Sequence, residues 1–341
     1  MVHLYFNLIG TVLFMAVFYA LNAFVDFAFL SDCANAAGIA VIHSLFNIGA
    51  TIVLFPFANQ LVKLAEVTIS DKKKKDEEET DTVSIDERFL ERPAFAMELC
   101  RGKVREMAEI TNKAMTLSLE VLLDYDKEKA KEVVRLESVV DKYEDALGSY
   151  LVKLSGKNIS KADSQSMSII LHSISDFERI SDHALNVVQS ADEINRKGLA
   201  FTKNGKQEMK TLCRAVRDIC QLAVESFCKD DILQATHVEP LEEVIDTLSK
   251  KIKENHIRRL QTKECTIEMG FILEDILTGL ERVSDHCSNV AVEMITIYED
   301  DYNTHGYFKN FSKEERAAFD KEYEELIKRY PLGKQDAMMS V

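Results

Sequence analysis

Two stretches near the start of the chain hold no charged residue: Leu4 to Val25, 22 residues, and Ala36 to Ala58, 23 residues. Each matches the roughly 20 apolar residues with which a helix crosses about 30 Å of hydrocarbon. A signal peptide would have a basic start, a shorter apolar run and a cleavage site. Here the start is not basic and a second run follows the first. The pattern therefore predicts a transmembrane helical hairpin over residues 1–65. Pro56, near the end of the second span, is tolerated where neighbours re-satisfy a kink.

Further on the pattern changes. Residues 66–93 form a charged linker, and Ser70 to Asp81 contains no apolar residue, so no core can form there. Its lysines are placed to touch anionic headgroups. From residue 94, apolar residues recur at helical spacing in segments 94–123, 127–155, 163–197, 205–229, 232–261 and 265–299. Pro93 can open the first of these. Gly156, Gly198 and the Lys229-Asp230-Asp231 step mark breaks. No alternating strand pattern interrupts the series, so the fold class is all-α. A charged amphipathic helix, Ser312 to Leu332, follows a loop at Asp300 to Asn310.

Charge adds orientation. The loop around Asp26 and Asp32 has no Lys or Arg, whereas Lys63 and Lys72 to Lys75 follow the second span. The positive-inside rule puts that end, and all that follows, in the cytoplasm. Seven cysteines without metal-ligand spacing fit a reducing compartment, and Cys213, Cys220 and Cys228 read as core residues on one helical face. A net charge of −15 excludes nucleic-acid binding, which needs a basic face.

The chemistry lies in a duplication. Glu178 to Val187 recurs 103 residues later as Glu281 to Val290, with seven of ten positions identical. A polar decapeptide kept twice on helices marks a repeated unit with a retained charged face. Glu178 and Asp182 stand one helical turn apart, as do Glu281 and Asp285. Upstream, Glu137 with Asp141 and Glu242 with Asp246 repeat that spacing at an offset of 105, which holds back to the helix caps Asp126 and Asp231. Like charges four apart destabilise an isolated helix by roughly 0.2–0.5 kcal/mol. An exposed solvated face explains one such pair. Four pairs on neighbouring helices offer the converging oxygen ligands of a metal site. His183 and His286 point away from the adjacent aspartates and read as hydrogen-bonding residues of the bundle. The Glu-x-x-His pattern of di-iron bundles would require histidine at Ser181 and Ser284.

The run Leu280-Glu281-Arg282-Val283-Ser284-Asp285-His286-Cys287-Ser288-Asn289 resembles the signature of PhoU-type domains. The resemblance covers about residues 95–300. It implies a pair of three-helix bundles, 94–198 and 203–300, linked to phosphate homeostasis and followed by a C-terminal segment, 301–341. It also implies iron or zinc clusters on Glu137, Asp141, Glu178, Asp182, Glu242, Asp246, Glu281 and Asp285.

The spans carry their own repeat, His3-Leu4-Tyr5-Phe6-Asn7 and His43-Ser44-Leu45-Phe46-Asn47. Polar residues in a span face a partner helix or a pathway. Such a repeat ahead of a PhoU-like domain resembles the C-terminal part of bacterial sodium–phosphate cotransporters, multi-pass proteins of the cell membrane. The implied partners are inorganic phosphate, co-transported sodium, the lipid bilayer, missing upstream transmembrane repeats and a second copy in a homodimer. The chain departs from that family in lacking the Gln-Ser-Ser-Ser stretch that binds the transported ions, so no substrate residue is assigned. Met1 reads as an internal methionine, and two helices alone cannot enclose a transport site. The function implied is the regulatory C-terminal portion of a sodium-dependent phosphate symporter. The alternative is a membrane-anchored, metal-binding regulator without transport. An enzyme is not expected. A His-Asp phosphohydrolase needs the reverse dipeptide order, and neither a phosphate-cradling glycine loop nor a nucleophile elbow is present.

Overall fold

The computed structural model describes residues 2–27, 36–57, 83, 85–298 and 313–332. The expected loop at Asp32, Lys63, Lys72 to Lys75, the linker core and the loop after Asp300 lie outside the described residues. The chain divides into one unit up to Thr80 and a second from Asp81.

In the first unit, α1 (Val2–Val25) and α2 (Ala36–Leu54) pack against each other. Phe14 meets Phe46 edge-on at 5.5 Å, and Gly10 faces Ala50, so residue numbers run in opposite directions and the pair is antiparallel. Gly10 lets the two helices approach closely at that crossing: a Cβ there would stand 3.3 Å from the Ala50 Cβ, a tight contact. Outward side chains such as Val12, Tyr19, Phe24 and Ile52 are apolar and exposed. One described helix, Phe6–Val25, is long and apolar enough to cross a membrane, and Gly38–Leu54 is a shorter apolar helix. The α-helical part of the second run ends at Leu54. Pro56 is the reason: it falls in a 3₁₀ turn, Phe55–Phe57, that closes the α-helix. His43 and Asn47 bond to each other along α2, 3.3 Å apart.

The second unit holds α3 (Pro93–Leu123), α4 (Lys127–Ser155), α5 (Lys161–Arg196), α6 (Lys203–Lys229), α7 (Ile232–Ala235), α8 (Val238–Gln261), α9 (Ile267–Tyr298) and α10 (Lys313–Arg329). Pro93 opens α3. Asp126 caps α4 by accepting from the amides of Glu128 and Lys129, and Asp231 caps α7 through Gln234. Gly198 takes the left-handed conformation, φ 65°, just past α5. The expected single helix 232–261 is two. Pro240 has no N–H to donate and its ring crowds the carbonyl four residues back, at Thr236. The chain breaks at Thr236-His237 and restarts at Val238.

Helices α3, α4 and α5 pack as one bundle, and α6, α8 and α9 as a second with α7 beside them. The bundles meet helix for counterpart helix: α3 lies on α6, and α5 on α9. Met107, Leu147, Phe177, Met209, Leu212 and Ile219 are fully buried, each worth about 1.5–3 kcal/mol for a side chain of that size. Phe177 and Phe227 pack edge-on across the bundles at 5.1 Å. Cys213 and Cys220 lie in this core as free thiols, with Cys228 half-buried at its edge. Among the described residues, the C-terminal helix docks on the second bundle. Tyr330 is buried, its hydroxyl donates to Asp218 at 2.6 Å, and Tyr323 bonds Thr247 at 3.0 Å.

Candidate metal centre

The middle and third helices of each bundle lie side by side, and their register sets the site. On α4, Glu137 and Asp141 are one turn apart; α5 brings Asp182 level with them. One carboxylate oxygen from each of the three lies within 4.8 Å of the others. The second bundle repeats this with Glu242 and Asp246 of α8 and Asp285 of α9, again within 4.8 Å. Six of the eight residues expected from the pattern thus form two trios. Glu178 and Glu281 stand one turn, about 6 Å along the axis, before the third member of each trio. Glu178 instead faces Glu144 and Asp141, and Glu281 shares a cleft with Asp246.

Burial and mutual repulsion disturb these groups strongly. Burial, reinforced by Asp182, Glu144 and Asp141, pushes Glu178 up to about 7. Burial with Asp246, Glu239 and Asp285 takes Glu242 to about 8. Asp246 rises to about 6 through burial, then Glu281 and Asp285. Glu137 and Asp141 are raised for the same reasons. Helices that hold carboxylates together in this way destabilise themselves unless a cation is supplied. The residues fit one. The donors are all hard oxygens, and Asp246 Oδ1 is buried without a hydrogen-bond partner among the described residues.

Other acidic residues belong to these surroundings and were not expected. Glu144 flanks the first trio; Glu239 and Glu243 flank the second, with Glu239 accepting from Ser288. Each falls three or four residues from a predicted ligand along its helix, and that spacing is the signal that would have found them. The histidines belong to neither trio and meet each other at the seam of α5 and α9. Their rings stack with centroids 6.0 Å apart. His286 Nδ1 meets Asp176 Oδ1 at 2.8 Å, a hydrogen bond as expected, but made across the two bundles and not within one.

Comparison with known proteins follows the same division. The family described as PhoU domain matches residues 104–191 and 209–294. A phosphate-specific transport system accessory protein PhoU homolog of Thermotoga maritima is 22% identical over 200 residues, 58% of this chain and 85% of that protein. A putative inorganic phosphate export protein, YjbB of Escherichia coli, is 20% identical over 268 residues, 76% of this chain. The chain spans about half of that relative, 48%. Among solved structures, PhoU from Pseudomonas aeruginosa superposes with a TM-score of 0.58 at 21% identity, covering 61% of this chain and 99% of that one. That likeness speaks for the fold.

Proposed function

This chain belongs to the PhoU domain family, and from that premise we propose that it is the regulatory C-terminal portion of a sodium-dependent inorganic phosphate transporter of the cell membrane, with the helical domain in the cytoplasm. The observation that carries the reading is the pairing of an apolar antiparallel hairpin with a PhoU domain in one chain, together with the long match to a phosphate export protein of which this chain spans 48%. Upstream transmembrane repeats supply the pathway for phosphate and sodium; this chain does not. It is not an enzyme. The PhoU domain acts by binding cations at its two trios and by restraining or releasing the membrane part.

The trios hold hard divalent ions, and iron suits an all-oxygen donor set better than zinc, which favours nitrogen and sulfur. Such an ion supplies the positive charge that lets the middle and third helices of a bundle stay together at neutral pH. Glu137, Asp141 and Asp182 orient one site; Glu242, Asp246 and Asp285 orient the other. The coverage of 85% of a PhoU homolog favours a second reading, a membrane-anchored regulator that moves no phosphate itself.

Phosphate uptake in vesicles separates the two. Vesicles holding the chain extended upstream by its own reading frame should take up phosphate in a sodium-dependent way, and those holding this chain alone should not. Uptake by neither form would favour the anchored regulator.

A further inference from the structure

The two trios have different surroundings. Past Asp246, α8 continues with Ser249, Lys250 and Lys253, and all four residues line one cleft of about 440 Å³. Lys250 and Lys253 follow Asp246 by four and seven residues and so share its helical face. The cleft's other charged walls are Glu243, Glu274 and Glu281. In the first repeat the positions 105 residues earlier are Glu144, Asp145 and Gly148. At these positions the first repeat thus has two acids and a glycine, and the second has a serine and two lysines that the duplication introduced or kept on one side alone.

A second observation points to a ligand in this cleft. Ser249 is 3% exposed, and its hydroxyl has no hydrogen-bond partner among the described residues. A helical serine ordinarily bonds back to the carbonyl one turn earlier; this one instead lies on the cleft wall. Asp246 Oδ1, also in the wall, is buried and equally unmatched. Lys253 is engaged by Glu274, whereas Lys250 makes no ion pair with a described residue. The cleft therefore presents an unused hydroxyl, an unused ammonium and an unused carboxylate oxygen. The first two suit an oxyanion and the third a cation.

We propose that the cleft of the second repeat binds a phosphate group against a cation held by Glu242, Asp246 and Asp285, with Lys250, Lys253 and the Ser249 hydroxyl as donors. The inference rests on the cation reading of the trios. Four carboxylates line the cleft against two lysines, so without a cation it repels an anion, and the ion's own charge decides the sign. Phosphate binding is therefore conditional on the cation. The first repeat, lacking lysines at the matching positions, takes cations only. Free inorganic phosphate and a phosphomonoester share the chemistry that these donors recognise.

The test is equilibrium dialysis of the full chain in detergent, loaded with manganese or stripped with chelator, against radiolabelled orthophosphate and, separately, glycerol 3-phosphate. The loaded chain should bind, the stripped chain should not, and the tighter anion identifies the source. Lys250→Gln with Lys253→Gln should weaken binding at least about tenfold, for the loss of charge-assisted hydrogen bonds. Manganese content should stay unchanged, and Lys250→Arg with Lys253→Arg should restore binding. Manganese bound without phosphate, or phosphate binding indifferent to both lysines, overturns this inference and leaves the cation sites standing. A chain that binds no manganese overturns both.

Discussion

Asp176 and His286 meet across the seam between the two repeats, carboxylate to imidazole at 2.8 Å, and the duplication has kept only one copy of that contact. The repeat counterpart of Asp176, 103 residues on, is Gly279. There His183 faces a backbone without a side chain: an added Cβ would lie 3.9 Å from its Nδ1. Burial, then His286 and Arg282, lower the pKa of His183, and no carboxylate takes the place there that Asp176 takes beside His286. Asn289 also donates to Asp176, at 3.3 Å. Asp176→Ala orphans both donors and should destabilise the helical domain by about 1–3 kcal/mol. Chemical denaturation of the full chain measures it, and an unchanged midpoint would contradict the assignment.

Gly279 itself lies inside α9, where glycine costs roughly 1 kcal/mol against alanine. The nearest atom to an added Cβ is 3.9 Å away, an ordinary van der Waals contact. Gly279→Ala should therefore stabilise by about 0.5–1 kcal/mol, visible as a higher thermal midpoint. A lower midpoint would mean that the α5–α9 seam is tighter than its contacts indicate.

A buried ion pair ties α6 to α8. Arg259 donates to both oxygens of Glu208, at 3.0 and 2.7 Å, and Asn255 donates to the same carboxylate at 2.8 Å. Both members of the pair are almost fully buried, with side-chain exposures of 6% and 2%. Arg259→Ala leaves a carboxylate without its partner and should cost about 3–5 kcal/mol. Replacing both, as Glu208→Leu with Arg259→Met, should cost much less. Equal losses in the single and double variants would contradict this reading.

The trios and the neighbouring Glu178 predict opposite pH responses with and without cation. In the metal-free chain Glu242, Glu178 and Asp246 hold protons up to about 8, 7 and 6. The unfolded chain releases those protons at ordinary carboxylate values, near 4. Folding then takes up protons, so metal-free stability should fall as pH rises through that window and level off below it. A cation competes with the same protons, so its affinity should rise over the same window. Thermal melts at pH 5 and pH 8, with chelator and with manganese, should cross over. Parallel melts would argue that the carboxylates are already neutralised by other means.

Much of this was legible in the sequence because helical periodicity and a duplication are strong, local signals. Five of the six domain segments end within about two residues of the helices found, and the caps at Asp126 and Asp231 are in place. The sixth segment failed at Thr236-His237 because a periodic pattern is blind to one proline's missing N–H. All six members of the trios were among the eight carboxylates singled out in the sequence; Glu178 and Glu281 are the two outside them. A spacing of four places Glu178 and Asp182 on one face but does not say which of them the neighbouring helix reaches. Asp176 and Ser249 left no trace, since their importance lies in contacts across helices or in a missing contact. Periodicity also could not tell how tightly Tyr330 would anchor the last helix to the second bundle.

The central claim is that the repeated carboxylates hold divalent cations, and the most direct test is elemental analysis of the full chain purified in detergent. The wild-type chain should carry a divalent metal, and Asp182→Ala with Asp285→Ala, one ligand from each trio, should lose it while circular dichroism keeps its helical signal. Equal metal in both proteins, or none in the wild type even after incubation with iron or manganese, would contradict the account.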